Sequence, residues 1–220
     1  MDPVDLSAWR ATERKLLIAA RVALGAAEHR RQDGIVTASL LEAFPCLRGA
    51  AIGIYWPMKG EFDPRVAGLR LRERGSRIAL PVVERKAAPL RFLEWWPGVR
   101  TEPGVFGLPV PQDTPDIHPD AVLVPPVGFD ARGFRLGYGG GYFDRTLAAL
   151  RPRPLAIGVA REASRMATIH PQPHDVPMDF IVTERAVYEY TADGLRPVAP
   201  REAAATAAAM RVTRLAGRAA

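Results

Sequence analysis

The amino-acid sequence predicts an α/β fold with a mainly parallel central sheet. Two observations support this prediction: short apolar runs of strand length recur along the chain, and stretches with helical spacing of apolar residues lie between them. The clearest succession is the apolar run 50–56, the helical stretch 65–75 and the apolar run 77–83. Parallel neighbours need such crossover helices, so this order favours a parallel sheet. At 220 residues the chain is long enough to bury a sizeable core.

The composition is that of an ordinary globular protein, with 48% hydrophobic and 25% charged residues. No segment reaches the roughly 20 apolar residues of a membrane span, and the N-terminus lacks the basic-then-apolar layout of a signal peptide. A cytoplasmic location without a membrane partner is therefore expected. Cys46 is the only cysteine, which excludes an internal disulfide and a cysteine metal cluster.

The net charge of +6 is unevenly distributed, because the last twenty residues contribute three units of it. The remaining surplus suits a small anionic substrate and is too modest to indicate nucleic-acid binding. A basic RNA-binding protein remains as an alternative that rests on charge alone. The alanine- and arginine-rich tail, residues 201–220, is predicted to be a frayed helix or a disordered segment and is assigned no function.

The N-terminal region is predicted to form a helix that starts at a Ser7 cap and runs through residues 8–31. Trp9 and Leu16 belong to its apolar side and are expected to fix its rotation against the core. Another side carries a basic stripe, whose members fall within roughly 40° of one another. The stripe consists of Arg10, Arg14 and Arg21. A solvated charged face is the alternative interpretation of this stripe.

Gly34 interrupts the helical pattern, and a second helix is predicted over residues 35–44. The apolar run that follows ends in a loop in which Glu61 lies just beyond the carboxyl end of a strand. Ligands bind at such positions in open α/β sheets. Another short strand is predicted at 90–95. The proline- and glycine-rich residues 97–119 are predicted to be an irregular connection, which is usually functional when it is this long.

The stretch GFDARGFRLGYGGGYFDR, residues 128–145, contains six glycines and lies between an apolar strand at 121–126 and a helical stretch at 142–150. Glycine permits positive φ angles and close approach of a ligand to the backbone, and the first amides of the following helix attract anions. The stretch therefore predicts a phosphate-binding loop, with a plain tight turn as the alternative. Arg135 offers a bidentate phosphate donor. Asp144 is either a helix cap or a ligand for a hard cation such as magnesium.

Two further strands are predicted at 154–160 and 179–183, separated by a proline-rich loop. His170 and His174 stand four residues apart in this loop. The intervening prolines prevent a helix and no third ligand lies nearby in the sequence, so a metal site built on the two histidines is disfavoured. Asp175 is the better candidate for an oxygen ligand of a metal ion.

Four separated pieces of the chain resemble one protein family. They are the helix with Arg10, Arg14 and Arg21, the strand and loop IGIYWPMKGEFDP, the glycine-rich FDARGFRLGYGGGYFDRTL and the late segment PQPHDVPMDFIVTE. In this order they resemble the 5-formyltetrahydrofolate cyclo-ligase family, whose members are also called 5,10-methenyltetrahydrofolate synthetases. The core RLGxGxGYxD of the glycine-rich piece is the most specific of these motifs.

The resemblance implies a three-layer α/β/α fold, with residues 1–200 as a single domain followed by the tail. It also implies an enzyme that uses ATP and Mg2+ to cyclise 5-formyltetrahydrofolate, with or without a polyglutamate chain, to 5,10-methenyltetrahydrofolate. The reaction would pass through a phosphorylated formyl group and release ADP and phosphate. No nucleic-acid, membrane or obligate protein partner is implied. A relative that binds folate or nucleotide without turnover is the alternative.

Carried over by motif position, the resemblance assigns residues to each ligand. The ATP-binding residues would be Arg10, Arg14, Arg135, Leu136, Gly137, Tyr138, Gly139, Gly140, Gly141, Tyr142 and Phe143. The folate-binding residues would be Arg14, Trp56, Glu61, Tyr138, Gly139, Gly140, Gly141 and Tyr142. Asp144 and Asp175 would bind magnesium, and their asparagine variants are expected to weaken magnesium-dependent turnover while the fold stays intact.

The chain departs from the family pattern at two points. Relatives often carry a lysine at the position of Arg10, and arginine preserves that charge. Relatives also often carry a basic residue within the glycine run, where this chain has Tyr138 and Gly140. The second departure leaves open how the transferred phosphoryl group is neutralised, with Lys59 and Arg145 as the candidates.

Overall fold

The computed structural model describes residues 3–216, so positions 1–2 and 217–220 lie outside it, including the end of the tail. The helices of the described range are α1 (Pro3–Val22), α2 (Ala26–Ala43), α3 (Pro64–Arg72), α4 (Tyr142–Ala149) and α5 (Pro200–Ala216). Its strands are β1 (Ala51–Gly53), β2 (Arg77–Val82), β3 (Arg91–Glu94), β4 (Thr101–Pro103), β5 (Pro109–Pro111), β6 (Ala121–Val124), β7 (Gly128–Asp130), β8 (Arg135–Leu136), β9 (Leu155–Val159), β10 (Arg165–Met166), β11 (Phe180–Val182), β12 (Val187–Thr191) and β13 (Gly194–Val198).

The central sheet has eight strands in the order β13-β12-β11-β9-β6-β1-β2-β3. The five inner strands from β11 to β2 are mutually parallel, and the antiparallel strands β12, β13 and β3 lie at the two edges. Every residue of β6 and β9 is buried, as expected for parallel strands that are covered on both faces. The prediction of a mainly parallel sheet is confirmed.

Helices cover both faces of this sheet and complete three layers. One face packs against α2, α3 and α5, which contribute Leu40, Leu71 and Ala203 to a shared apolar core. The opposite face packs against α4 and the small sheet β10-β7-β8, which contribute Leu147 and Phe129 to a second core. The three-layer α/β/α arrangement is therefore also confirmed.

The boundaries of the first two helices differ from those predicted. Ser7 does not start α1, because the helix already includes Pro3. The helix also ends at Val22 instead of continuing to residue 31, and α2 begins after Gly25. Gly34 lies inside α2 and does not interrupt it. A glycine within a helix costs only about 1 kcal/mol, and the burial of α2 side chains such as Val36 against the sheet outweighs that cost.

Of the two apolar residues expected to fix the rotation of α1, Trp9 packs against the His170 ring, whereas the prediction for Leu16 is wrong. Leu16 was expected to face the core, but it is 60% exposed. The face of α1 that meets the protein includes the buried Leu6, the three arginines of the basic stripe and Leu17. Leu17 reaches Gly128, where a Cβ atom would lie only 2.8 Å from its Cδ1. Helical spacing of apolar residues was misleading here because the arginine side chains find partners inside the protein.

Three hairpins were not predicted from the sequence, and one of them is the antiparallel pair β7-β8. β12 and β13 form an antiparallel hairpin at the sheet edge, joined by Ala192 and Asp193, and Gly194 at the start of β13 has a φ of 113°. Alternating apolar residues and this Asp-Gly pair were the available signal. Residues 97–119, predicted to be irregular, contain the small antiparallel pair β4-β5.

The tail is helical as far as the structure describes it. Ala203 and Ala207 of α5 are buried in the core, and residues 217–220 lie outside the described range. Arg211 approaches Asp120 and Arg214 pairs with Asp179 at 2.8 Å. These two basic side chains of the tail therefore serve intramolecular contacts, which weakens the charge argument for RNA binding. No helix in residues 3–216 is long and apolar enough to cross a membrane.

The rotation of α1 can be tested by paired alanine variants. Leu6→Ala should lower the free energy of unfolding by about 2 kcal/mol, because it removes a buried side chain. Leu16→Ala should change it by less than about 0.5 kcal/mol, because that side chain is exposed. Urea unfolding of both variants measures the difference. A larger loss for Leu16→Ala would mean that the apolar side of α1, and not its basic stripe, faces the protein.

Candidate active site at the glycine-rich loop

The candidate site lies beyond the carboxyl ends of the parallel strands, where open α/β sheets bind ligands. The loop after β1 carries Glu61, the chain after β6 forms the β7-β8 hairpin, and Arg161 follows β9. The glycine-rich loop, residues 137–141, connects β8 to α4. The loop therefore does join a strand to a helix, although the strand is the short β8 and not the apolar strand β6.

The glycine-rich loop depends on glycine at two positions. Gly139 has a φ of 95° and Gly141, which precedes α4, has a φ of 62°. A Cβ atom on Gly139 would lie 3.4 Å from the guanidinium carbon of Arg14, and one on Gly141 would lie 2.8 Å from a guanidinium nitrogen of Arg145. Gly141 also supplies no side-chain cap to α4. The first amides of α4 therefore remain available to an anion.

Arg10 connects α1 to the loop 169–175. Its guanidinium pairs with the Asp175 carboxylate at 2.7 Å and donates to the carbonyls of Ile169, at 3.2 Å, and His170, at 2.9 Å. The Trp9 ring packs edge-on against the His170 ring, with 4.9 Å between centroids. Arg10 and Asp175, which the sequence assigns to different ligands, are thus direct neighbours.

Arg14 connects α1 to the glycine-rich loop. Its Nε donates to the Gly137 carbonyl at 2.7 Å. Within residues 3–216, no carboxylate lies within ion-pair distance of Arg14. Burial lowers the pKa of Arg14, the charge of Arg10 lowers it further, and Asp175 partly opposes both effects. Arg14 is therefore a cation that lacks a carboxylate partner and lies against the loop backbone.

Arg135 and Asp144 form a buried ion pair at 2.9 Å, in which the Arg135 side chain is 4% exposed. Burial lowers the pKa of Arg135, and Asp144 counteracts this shift. The Val176 backbone completes the link, because its amide donates to Asp144 at 3.1 Å and its carbonyl accepts from Arg135 at 3.3 Å. The side chain of Leu136 is buried in the core, so only its backbone could face a nucleotide.

Together these groups form an arginine–aspartate cluster with one surplus positive charge. Its members are Arg10, Arg14, Arg135, Asp144 and Asp175. Among the described residues no three acidic, histidine or cysteine side chains come together as a metal site made of protein ligands alone. Two carboxylates fit the way magnesium binds in nucleotide sites, where one or two carboxylates, water and substrate phosphates share the ion. The donor set therefore suits a polyphosphate with its magnesium.

Glu61 forms the second part of the site and is joined to the loop by Tyr138. The Tyr138 hydroxyl donates to Glu61 Oε1 at 2.9 Å, and the Met58 amide donates to Oε2 at 2.8 Å. Arg21 donates to the Tyr138 oxygen at 2.7 Å and lies 3.8 Å from Glu61. Burial raises the pKa of Glu61, although the Met58 amide, Arg21 and Tyr138 oppose that shift. Burial and Glu61 also raise the pKa of Tyr138.

A small cavity of about 80 Å³ lies beside Glu61, between α1 and the ends of β6 and β9. Leu17, Arg21 and Arg161 also line this cavity. Trp56 is not among its lining residues. Its ring packs edge-on against Trp95 at 6.1 Å between centroids and lies 4.4 Å from the guanidinium of Arg65.

Sequence reasoning left several basic residues of this region unassigned. Two of them could have been found from the sequence: Arg21 belongs to the basic stripe, and Arg161 lies just past the end of a predicted strand, where ligands bind. The guanidinium of Arg161 is buried and donates to the Gly60 carbonyl next to Glu61, at 3.4 Å. Arg145 donates to the Gly140 carbonyl and lies over the Tyr142 ring, at 5.4 Å.

Both candidates for the missing loop cation lie at the loop. The Arg145 guanidinium contacts the backbone of the loop at Gly140, and the Lys59 ammonium lies 5.8 Å from the centre of the Tyr138 ring. The two histidines do not form a metal site with each other: His170 packs on Trp9, and His174 is exposed with its ring 3.8 Å from Asp175.

Comparison with known proteins adds an independent observation. The model of the 5-formyltetrahydrofolate cyclo-ligase family matches residues 6–184 of the chain. The 5-formyltetrahydrofolate cyclo-ligase of Mycolicibacterium smegmatis is 32% identical over 147 residues, which cover 63% of this chain and 76% of that protein. The protein of the same name from Escherichia coli K12 is 27% identical over 171 residues, which cover 74% of this chain and 94% of that protein.

Two solved structures resemble the chain over most of their length. The NMR structure of Aquifex aeolicus 5,10-methenyltetrahydrofolate synthetase aligns with a TM-score of 0.72 at 28% identity, and the match covers 86% of this chain and 96% of that one. The 5,10-methenyltetrahydrofolate synthetase of Mycoplasma pneumoniae aligns with a TM-score of 0.65 at 25% identity, over 80% of this chain and 98% of that one.

The buried pair of Arg135 and Asp144 predicts a stability effect that the sequence did not. Asp144→Asn should lower the free energy of unfolding by about 3 kcal/mol, because it leaves a buried guanidinium without its carboxylate. Asp175→Asn should cost less, because Arg10 keeps two carbonyl acceptors. Denaturant unfolding measures both.

The control for this prediction is Glu73→Gln, which breaks the exposed pair with Arg70 and should cost less than about 1 kcal/mol. If Asp144→Asn were as stable as this control, the ion pair of Arg135 and Asp144 would contribute little to the free energy of unfolding.

Proposed function

Because the chain belongs to the 5-formyltetrahydrofolate cyclo-ligase family, we propose that it uses ATP and magnesium to convert 5-formyltetrahydrofolate to 5,10-methenyltetrahydrofolate, with release of ADP and phosphate. The observation that carries the ATP assignment is Arg14, a half-buried cation that lacks a carboxylate partner within residues 3–216 and lies on a glycine-rich loop. A half-buried, unbalanced guanidinium is costly unless an anion joins it. A polyphosphate is the anion that this surrounding fits.

The phosphate chain of ATP would lie between the basic stripe and the glycine-rich loop. Arg10 and Arg14 would bind its oxygens from α1, and the loop amides and the start of α4 would bind it from the other side. Arg135 would act through Asp144, which it holds in place, because its own guanidinium is buried in that ion pair. Arg135 is therefore proposed as a positioning residue and not as a direct phosphate ligand.

The reaction proposed here needs positioning and charge neutralisation more than a nucleophilic side chain. The formyl oxygen of the substrate attacks the γ-phosphorus, a new O–P bond forms, and the bond to ADP breaks. N10 of the folate then attacks the activated formyl carbon and loses its proton, and the C–O bond breaks to release phosphate. Arginines and backbone amides stabilise the negative charge that moves along the phosphates in this first step.

The folate would bind on the Glu61 side of the site. A carboxylate accepts hydrogen bonds, so Glu61 suits the donor edge of the pterin ring. The small cavity beside Glu61, which Phe62 and Arg161 also line, lies on the same side of the site. The role of Trp56 in the folate pocket stays a prediction, because its ring packs against Trp95 and the guanidinium of Arg65.

Arg145 is proposed as the cation that replaces the basic residue missing from the glycine run. Its guanidinium already contacts the carbonyl of Gly140, at the position where relatives often carry that residue. Its Nε is buried without a hydrogen-bond partner among the described residues, so an incoming phosphate oxygen would satisfy it. Lys59 is a weaker candidate, because its ammonium lies over the Tyr138 ring on the Glu61 side.

Asp144 and Asp175 are proposed as the magnesium ligands. Bound magnesium would neutralise phosphate charge during transfer. Asp175 is the more available of the two, because Arg10 and the Gln172 amide both use its Oδ2 and leave Oδ1 without a hydrogen bond among the described residues. Asp144 must remain near Arg135 to balance a buried charge, so it can contribute at most the oxygen that now accepts the Val176 amide.

The proposed activity is tested by mixing the protein with 5-formyltetrahydrofolate that carries a heavy oxygen isotope in its formyl group. With ATP and magnesium, methenyl absorbance should appear and the released phosphate should contain the label. Unlabelled substrate in labelled water is the control and should give unlabelled phosphate. Label that stays out of the phosphate would exclude the phosphorylated formyl intermediate. Folate binding without turnover would favour a non-catalytic relative.

Arg14→Ala should raise the KM for ATP roughly ten- to a hundredfold, because it removes a charge-assisted hydrogen bond worth about 1.5–3 kcal/mol. Stability should fall by only about 1 kcal/mol, because the lost hydrogen bond to Gly137 is partly offset by the helix propensity of alanine and by the loss of repulsion from Arg10, while Arg10 and Arg21 still hold α1. Arg10→Lys should be milder, since it keeps the charge. The exposed Arg70→Ala is the control. If Arg14→Ala used ATP at the normal rate at a subsaturating ATP concentration, the basic stripe would have a structural role and would not bind ATP.

Asp175→Asn should raise the magnesium concentration needed for half-maximal rate by about tenfold, because one of two anionic ligands is lost. The variant should keep most of its stability, which Asp144→Asn should not. Asp113→Asn alters an exposed aspartate outside the site and is the control. An unchanged magnesium titration for Asp175→Asn would mean that Asp175 does not bind magnesium and only holds Arg10 and the loop in place.

A further inference from the structure

The hydroxyl of Tyr138 lies where the two halves of the site meet. It donates to Glu61 and accepts from Arg21, at 2.9 Å and 2.7 Å. The other oxygen of Glu61 accepts the Met58 amide, and the Glu61 side chain is only 2% exposed. Both oxygens of the carboxylate are therefore engaged, and the carboxylate is covered. Glu61 Oε1 becomes free to accept a hydrogen bond from a folate when the Tyr138 hydroxyl moves away.

The same tyrosine belongs to the loop that would bind the phosphates. Arg14 holds the carbonyl of Gly137, directly before Tyr138, and Arg21 holds the Tyr138 hydroxyl itself. Glycines flank Tyr138 on both sides, and Gly139 has a φ of 95° that favours glycine. A phosphate that draws Arg14 away from Gly137 therefore releases the backbone next to Tyr138, and the flanking glycines let that segment rotate.

We propose that Tyr138 acts as a gate that makes the binding of folate and nucleotide cooperative. With neither substrate bound, its hydroxyl covers Glu61 and restrains the glycine-rich loop. Folate displaces the hydroxyl from Glu61 and frees the loop to close on the phosphates, while nucleotide moves the loop and uncovers Glu61. This inference rests on the proposed function, because it takes folate and ATP as the two ligands. Coupling of this kind is reciprocal, so each ligand tightens the other by the same factor.

The structure contains a matched comparison for the gate. Tyr188 donates its hydroxyl to Glu162 at 3.0 Å, in the same type of hydrogen bond, but outside the glycine-rich loop and the Glu61 pocket. Tyr138→Phe and Tyr188→Phe each remove one tyrosine-to-glutamate hydrogen bond and keep the ring. Only the first should alter communication between the two sites.

Calorimetric titration with a non-hydrolysable ATP analogue, in the absence and presence of saturating 5-formyltetrahydrofolate, measures the coupling without turnover. In the unaltered protein, folate should tighten the analogue by about fivefold or more. In Tyr138→Phe the two titrations should give the same affinity, and folate alone should bind more tightly than to the unaltered protein. Tyr188→Phe should retain the coupling.

Two results would overturn the gate. One is independent binding of the two ligands to the unaltered protein, and the other is full coupling in Tyr138→Phe. Failure of the proposed function looks different, because then the unaltered protein would bind neither the analogue nor the folate, or would not convert 5-formyltetrahydrofolate when ATP replaces the analogue. The methenyl absorbance assay on the same preparation separates these cases.

Discussion

The arrangement of the site depends on how α1 is attached to the rest of the protein. Its inward face presents Arg10, Arg14 and Arg21, and each guanidinium reaches a different loop. Guanidinium groups taken out of water must be paired, so three loops from distant parts of the chain are drawn to one helix. Leu6 and Leu17 add apolar contacts on the same inward face, whereas Leu16 is exposed on the other side.

This attachment gives the site its electrostatic character. The carboxylates of Asp144 and Asp175 balance Arg135 and Arg10, whereas Arg14 is left with a carbonyl as its acceptor. A preorganised surplus of positive charge costs little to reorganise when a phosphoryl group is transferred, which is how such sites accelerate the reaction. The same arginines that hold the helix in place are therefore the groups that a phosphate chain would take over, so ligand binding and the attachment of α1 are linked.

The sequence predicted the parallel sheet and the glycine-rich loop because both rest on local patterns: apolar runs of strand length and the backbone freedom of glycine. It was wrong where tertiary contacts override local preference, as at Gly34, which burial of α2 keeps within a helix, and at Leu16, which the arginine contacts turn outward. The site residues came mostly from family resemblance. The hydrogen bond between Tyr138 and Glu61 joins positions 77 residues apart, and no spacing rule could have indicated it.

A crystal structure with a non-hydrolysable ATP analogue, magnesium and 5-formyltetrahydrofolate would show whether the basic stripe of α1 and the glycine-rich loop form one phosphate site. We expect phosphate oxygens between Arg10, Arg14 and residues 137–141, with Arg14 released from the Gly137 carbonyl. Phosphates bound elsewhere, with all three arginines of α1 still on their present partners, would contradict it.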